Sequence, residues 1–162
     1  MEYLFLKRKE VIVASQRQKI LLFKTVEKQW EKEFALRRRD GREIDRGIYK
    51  NLLYQLEIRK VFLDSKLSLK KLSSMIETNQ TYLSNVVNRY FDCNLKELIN
   101  TYRVEYAKEL LRERGCGLEE IAAKCGFASK SAFYSAFKKM TGYRPVEYIR
   151  RNGVEEKFGE NN

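Results

Sequence analysis

The sequence predicts an all-α fold: two helix-turn-helix subdomains joined by a long connecting helix, with an N-terminal helical extension. Three observations predict it. Apolar residues recur at helical spacing through most of the 162 residues, as one buried face requires. Residues 126–145 read as a complete turn, helix and stop. The same apolar framework occurs twice: Leu69, Leu72 and Ile76 match Leu118, Ile121 and Cys125 at an offset of 49, and Leu83 and Val87 match Phe133 and Phe137 at an offset of 50.

The second copy is the clearer. Gly126 suits a tight turn with positive φ. Ser129 is a helix N-cap, accepting from an otherwise orphaned N–H. Phe133, Ala136 and Phe137 then face inward, while Ser131, Ser135, Lys138 and Lys139 lie on the polar side. Gly142 ends the helix. Pro145 suits the first turn of a short following helix with Tyr148 and Ile149. Upstream, Leu118, Ile121, Ala122 and Cys125 form the stripe of the preceding helix, and the small Ala122 lets the next helix cross closely. Two short helices around a glycine turn, the second basic outward, make a helix-turn-helix. A plain helical hairpin has the same outline.

In the first copy Ser68 caps a helix whose Leu69, Leu72 and Ile76 face inward. Asn79 caps the next, over residues 80–90, burying Leu83, Val86 and Val87. Ser73 stands where the second copy has Ala122, and Glu77 where it has Gly126, so this turn forms without glycine. Asp45 is placed to cap a preceding helix over about 46–62, with Ile48, Leu52 and Leu56 on one face. Asn94 and Glu97 suggest a capping box opening a connecting helix to about residue 114, which Gly115 and Gly117 end. A helix of some 20 residues is about 30 Å long. Adjacent major-groove faces of DNA lie about 34 Å apart, so a connector of this size suits two readers on one duplex.

The resulting organisation is an extension and linker over 1–46 and a domain over 47–151. The domain holds a first helix-turn-helix at 68–90, a connecting helix at 94–114 and a second helix-turn-helix at 118–141. Residues 152–162, net −2, are an expected frayed tail. Within the extension, Leu22, Val26, Trp30 and Phe34 mark a helix over 15–39 with one apolar stripe. That stripe calls for a partner chain, an upstream domain or the following domain. Arg37 to Arg42 reads as a basic linker. Leu4-Phe5-Leu6 before Lys7-Arg8-Lys9 fits either the flank of a lost membrane span or an ordinary amphipathic segment.

The net charge of +11 favours an anionic partner. It is spread: residues 1–46 hold 13 basic and 8 acidic side chains, the rest 20 and 14, so charge alone fits nucleic acid and membrane surface equally. The chain has no histidine, which removes the commonest general base and metal ligand. Cys93, Cys116 and Cys125 show no Cys-x-x-Cys spacing, so neither zinc nor another metal is expected, and reduced thiols of a cytoplasmic protein are the simpler reading. No apolar run approaches the roughly 20 residues of a membrane span. Without a glycine-rich phosphate loop or a carboxylate frame, the pattern points to binding and not to an enzyme; no cofactor and no small-molecule ligand are expected.

Gly126-Phe127, Ser129, Phe133, Phe137-Lys138-Lys139, Gly142, Pro145, Tyr148 and Arg150 resemble the signature of the AraC family of bacterial transcription regulators. The resemblance covers about residues 48–151. Arg103, Ala107, Leu110 and Leu111 resemble that family's connecting helix. Arg144 departs from it, since the family usually has Ser or Thr before this proline.

The resemblance implies a sequence-specific reader of double-stranded DNA with two recognition helices in successive major grooves. A non-specific nucleic-acid binder or a helical interaction protein are the alternatives. The outward positions of the first helix are Gln80, Thr81, Ser84, Asn85, Asn88 and Arg89. Asn suits bidentate pairing with adenine. Carried over by position, Thr81, Ser84 and Asn85 are the base readers of the first helix, and Ser131, Ala132 and Ser135 those of the second, where Tyr134 also faces out. Arg89, Lys130, Lys138, Lys139 and Arg150 are expected on phosphates. RNA polymerase is a candidate partner. Self-association or a separate sensor domain is expected through the extension, which is too short to form an ordinary sensor itself. The expected location is cytoplasmic and nucleoid-associated, a tether of a longer parent protein being the alternative.

Overall fold

The computed structural model describes residues 43–113 and 117–151. The expected helix over 15–39, the basic flank at 7–9, most of the linker, Gly115, Cys116 and the tail at 152–162 lie outside the described residues.

The described chain is helical, with no strand among its residues. In order come α1 (Glu43–Leu53), a π-helical turn (Tyr54–Ile58), a 3-10 turn (Val61–Leu63), α2 (Leu69–Met75) and α3 (Gln80–Phe91). Then come α4 (Leu95–Glu113), α5 (Leu118–Lys124), α6 (Lys130–Thr141) and α7 (Pro145–Arg151). They fall into two compact units. One holds α1 through Val61 and Ser68–Leu95; the other holds Phe62–Leu67 and the chain from Lys96 onward.

The expected single helix from about 46 to 62 is corrected. The α-helix begins at Glu43 and ends at Leu53, the π-helical turn follows, and Lys60 takes a positive φ of 50°. Phe62–Leu67, which follows, belongs to the other unit. Asp45 is not a cap: it lies inside the first turn of α1, and its carboxylate accepts from Arg89 of α3.

In the first unit Leu52, Leu56, Leu72, Leu83 and Val87 are completely buried, which joins the stripes of α1, the π-helical turn, α2 and α3 into one core. Tyr49 stands against Tyr90 and Phe91, with ring centroids 4.8 and 5.5 Å away.

The second unit is assembled around the inward faces of α4, α5 and α6. Val104, Ala107, Leu111, Ile121, Cys125, Phe133 and Phe137 are buried in one cluster with Ile149 of α7. Arg103 is buried among them at 8% exposure. Its Nε donates to the Phe62 carbonyl at 2.7 Å and its Nη2 to the Asp64 carbonyl at 2.9 Å. Its guanidinium also lies over the Phe127 ring, 5.4 Å from the centroid. Burial lowers the Arg103 pKa, against the pull of Asp64 and Cys125, and an arginine keeps its charge even so.

The two helix-turn-helix turns share one backbone. Thr78 N–H donates to the Ser73 carbonyl and Phe127 N–H to the Ala122 carbonyl, both at 2.9 Å. One residue earlier, Glu77 N–H reaches Ser74 and Gly126 N–H reaches Ala123. This is the double bond of a helix end closed by a left-handed residue. Glu77 has φ 59° and Gly126 φ 80°. The Ser73 hydroxyl, where the second copy has a methyl, folds back to donate to the Lys70 carbonyl at 3.0 Å, so serine is accommodated in a buried position.

Glycine is demanded only in the second turn. A Cβ on Gly126 would stand 2.5 Å from the Phe62 carbonyl oxygen and 2.6 Å from that of Leu63, both backbone atoms. Gly126→Ala therefore meets a clash as well as an unfavourable φ and should lose more than about 2 kcal/mol of stability. Glu77→Gly should gain about 0.5 kcal/mol, since relief of a left-handed side chain, worth about 1–2 kcal/mol, exceeds the added freedom of the unfolded glycine, about 0.4–1 kcal/mol. Urea unfolding midpoints of the two variants should move in opposite directions. Arg103→Met, which strips a charged donor from two carbonyls, should cost about 2–4 kcal/mol in the same assay.

Candidate nucleic-acid interface

Each second helix starts from a side-chain cap. Asn79 Oδ1 accepts from Tyr82 N–H at 2.8 Å, and Ser129 Oγ accepts from Ala132 N–H at 3.2 Å. Each ends on a left-handed residue, Asp92 and Gly142, whose N–H returns to Asn88 and Lys138 respectively. Start and stop are thus specified chemically. Both helices contain 12 residues, and the same four positions point outward in their first two turns.

Among the expected readers, Gln80, Thr81, Asn85 and Asn88 on α3 are exposed, as are Ser131, Ala132 and Ser135 on α6. Ser84 is only half-buried, at the margin of the exposed row. Its counterpart by the repeat is Tyr134, expected to face outward. Tyr134 instead packs against the core cluster with its ring edge-on to Phe133, centroids 5.5 Å apart. An aromatic ring at this edge of the helix has apolar surface to cover, and Phe133 covers it.

The expected phosphate ligands Arg89, Lys130, Lys138, Lys139 and Arg150 are all exposed. Arg89 and Lys139 are among those engaged within their own units. Arg89 pairs with Asp45, and Lys139 donates to Glu97 at 3.0 Å. The acceptor is Oε1 of Glu97, the residue that the sequence places in a capping box at the start of α4. The Lys139–Glu97 pair is exposed and worth only about 0–1 kcal/mol, so it orients the cation without locking it. Beside Arg89, burial raises the Tyr90 pKa, and the Asp45 carboxylate pushes the same way.

After α6, Arg144 stands where Ser or Thr was expected before Pro145. Here the cap comes from the other side: the Arg144 N–H donates to Glu147 Oε2 at 2.9 Å, one half of a capping box. Thr141 secures the turn before it, its hydroxyl donating to the Phe137 carbonyl at 2.7 Å and accepting from Tyr143 N–H at 3.2 Å.

One exposed position of this row was absent from the expected readers. The offset of 50 that pairs Leu83 with Phe133 also pairs Tyr82 with Ala132. Tyr82 is exposed, and its N–H holds the Asn79 cap just as the Ala132 N–H holds Ser129. The repeat was the signal that could have found it.

Asn79→Ala and Ser129→Ala should each destabilise the protein by about 1 kcal/mol, since each leaves an N-terminal amide without its acceptor. Thermal unfolding followed by circular dichroism measures this, with Ser131→Ala, one turn into solvent, expected to change little.

Comparison with known proteins gives this geometry a kinship. A helix-turn-helix domain family matches residues 72–151. The melibiose operon regulatory protein of Escherichia coli K12 is 28% identical over 85 residues, which are 52% of this chain and 28% of that protein. The chain therefore matches under a third of the length of this relative. Among solved structures, the C-terminal domain of AraT, a response regulator from Geobacillus stearothermophilus, is similar at a TM-score of 0.59 and 27% identity, covering 72% of this chain and 93% of that one. The C-terminal domain of the two-component response regulator yesN from Fusobacterium nucleatum is 30% identical at a TM-score of 0.53, covering 59% of this chain and 93% of that one.

Proposed function

We propose a function for a chain that belongs to the AraC family of helix-turn-helix proteins: it binds double-stranded DNA in a sequence-dependent way and regulates transcription. The observation that carries this reading is the repeated pair of capped 12-residue helices, each presenting an exposed polar row beside exposed cations. That is what a major groove admits: a helix whose first turns meet base edges while basic side chains meet phosphates.

In this reading the amides of Gln80, Asn85 and Asn88 read base edges from the first helix, with Thr81 and Ser84 beside them. Ser131, Ala132 and Ser135 read from the second by hydroxyl and methyl contact. The cations Lys130, Lys138, Lys139, Arg89 and Arg150 hold the backbone. RNA polymerase is the partner through which bound DNA becomes regulation, and the site of action is the nucleoid. Among the described residues no helix is long and apolar enough to cross a membrane.

Selection of bound duplexes from a random pool tests the reading directly: enrichment of a defined site is expected, and a pool that stays random would refute it. Affinity for the selected site should fall linearly with log salt, with a slope of about −0.9 per phosphate contacted. Lys138→Ala should weaken binding to all sequences alike and flatten that slope by about 1. Asn85→Ala should instead relax one or two base positions, losing about 1–3 kcal/mol of discrimination there. Ser135→Ala should relax different positions, and by less. Loss of preference at the same bases in both variants would contradict separate half-sites.

A further inference from the structure

We propose that Tyr82 is a specificity-determining residue of the first recognition helix, its ring seated against the 5-methyl group of a thymine in the major groove. This rests on the DNA-binding reading above and adds to it a residue and a chemical preference.

The internal repeat is the first support. Tyr82 and Ala132 are the residues whose N–H groups bond to the caps Asn79 and Ser129. The cap fixes the backbone at that point, so the two Cβ atoms leave their helices in corresponding directions. Ala132 is exposed there, among the outward positions of α6. The first helix places a phenol ring where the second places a methyl.

The environment of the ring is the second support. Tyr82 is 43% exposed. Other tyrosines of the described chain have aromatic or cationic neighbours: Tyr49 has Tyr90 and Phe91, Tyr102 and Tyr106 have Phe62, Tyr134 has Phe133, and Tyr143 lies under the Arg151 guanidinium. Tyr82 stands instead on the solvent side of α3, between exposed Thr81 and the outward Asn85 one turn on. Tyrosine is also a weaker helix former than alanine, so an exposed helical position gains nothing from it locally.

Chemistry then selects the ligand. In the major groove the thymine methyl is the one apolar feature that distinguishes a base pair, and an apolar side-chain surface is its complement. A ring flanked by Thr81 and Asn85 adds apolar recognition to a row otherwise made of amides and hydroxyls. A phosphate contact through the hydroxyl would use the same residue differently: it would be indifferent to sequence and lost on removal of the hydroxyl alone.

The experiment uses the full chain and its Tyr82→Ala and Tyr82→Phe variants, in selection from a random duplex pool. Circular dichroism checks that all three are equally helical. Tyr82→Ala should lose preference for thymine at one position, with discrimination falling about four-fold, the worth of one buried methyl. Tyr82→Phe should keep that preference. Replacing the thymine by uracil should weaken wild type and Tyr82→Phe by about the same factor and leave Tyr82→Ala unchanged. If wild type enriches a site that Tyr82→Ala enriches identically, Tyr82 is not a reader, while DNA recognition stands. If Tyr82→Ala and Tyr82→Phe both weaken binding to every sequence equally, the residue holds phosphate and the proposal fails. If wild type enriches nothing, the DNA-binding reading fails with it.

Discussion

The second unit depends on one buried guanidinium. Arg103 draws the carbonyls of Phe62 and Asp64 onto α4, and this fixes a segment that comes from far earlier in the chain. Two carbonyls that leave a short 3-10 turn would otherwise be costly to bury. The fork geometry of arginine meets both at once, as a lysine ammonium could not with the same directionality. The same Phe62 carbonyl lies where a Cβ on Gly126 would fall. The ligand of Arg103 is therefore also the wall against which the second turn closes. The glycine, the arginine and the detour of the chain at Val61 are one constraint seen from three sides.

This explains why the two copies of the motif look unequal in sequence and are alike in backbone. A turn of this kind requires a left-handed residue, and either Glu77 or Gly126 can supply it at a modest difference in strain. Only the second turn also meets a foreign backbone. Gly126 is thus a packing requirement superimposed on a conformational one, whereas Glu77 answers the conformational one alone. Ser73 tells the same story at the helix crossing: with its hydroxyl satisfied on its own helix, it occupies a site that a methyl fills in the other copy.

The apolar stripes and stops of α2, α3, α5 and α6, and the caps of α2, α3 and α6, were legible because they rest on local chemistry: period, a side-chain acceptor at the N-cap, a left-handed residue after the last turn. The break after Leu53 was not. Nothing between Leu52 and Phe62 interrupts the helical period, and the contact that holds Phe62 lies 41 residues on, at Arg103. The pairing of Asp45 with Arg89 was hidden for the same reason, since a carboxylate near a helix start reads as a cap until a distant cation is known. Arg144 shows a local substitution that the sequence does answer, three residues later, through Glu147. At the candidate interface the exposed row was mostly legible as the complement of the buried stripe. It failed at Tyr82, which was not among the outward positions named, and at Tyr134, which was expected to face out. The repeat decides it better: Tyr134 shares the half-buried position of Ser84 and its ring lies against Phe133, whereas Tyr82 follows Ala132 into solvent.

A repeated motif also separates what the fold requires from what it leaves open. Between the two copies most inward positions stay apolar, the caps of α3 and α6 both accept a backbone N–H, and the stops stay left-handed, although serine replaces alanine, asparagine replaces serine, and aspartate replaces glycine. Every such exchange preserves a physical role. The outward positions of α3 and α6 are freer: Thr81 against Ser131 and Arg89 against Lys139 are conservative, but Tyr82 against Ala132 and Asn85 against Ser135 change size and bonding capacity together. Because capped ends fix where these Cβ atoms point, a change of side chain there alters what the helix presents without altering where it stands. In the proposed DNA-binding reading, divergent exposed rows on two alike-capped helices let each helix read a different base sequence.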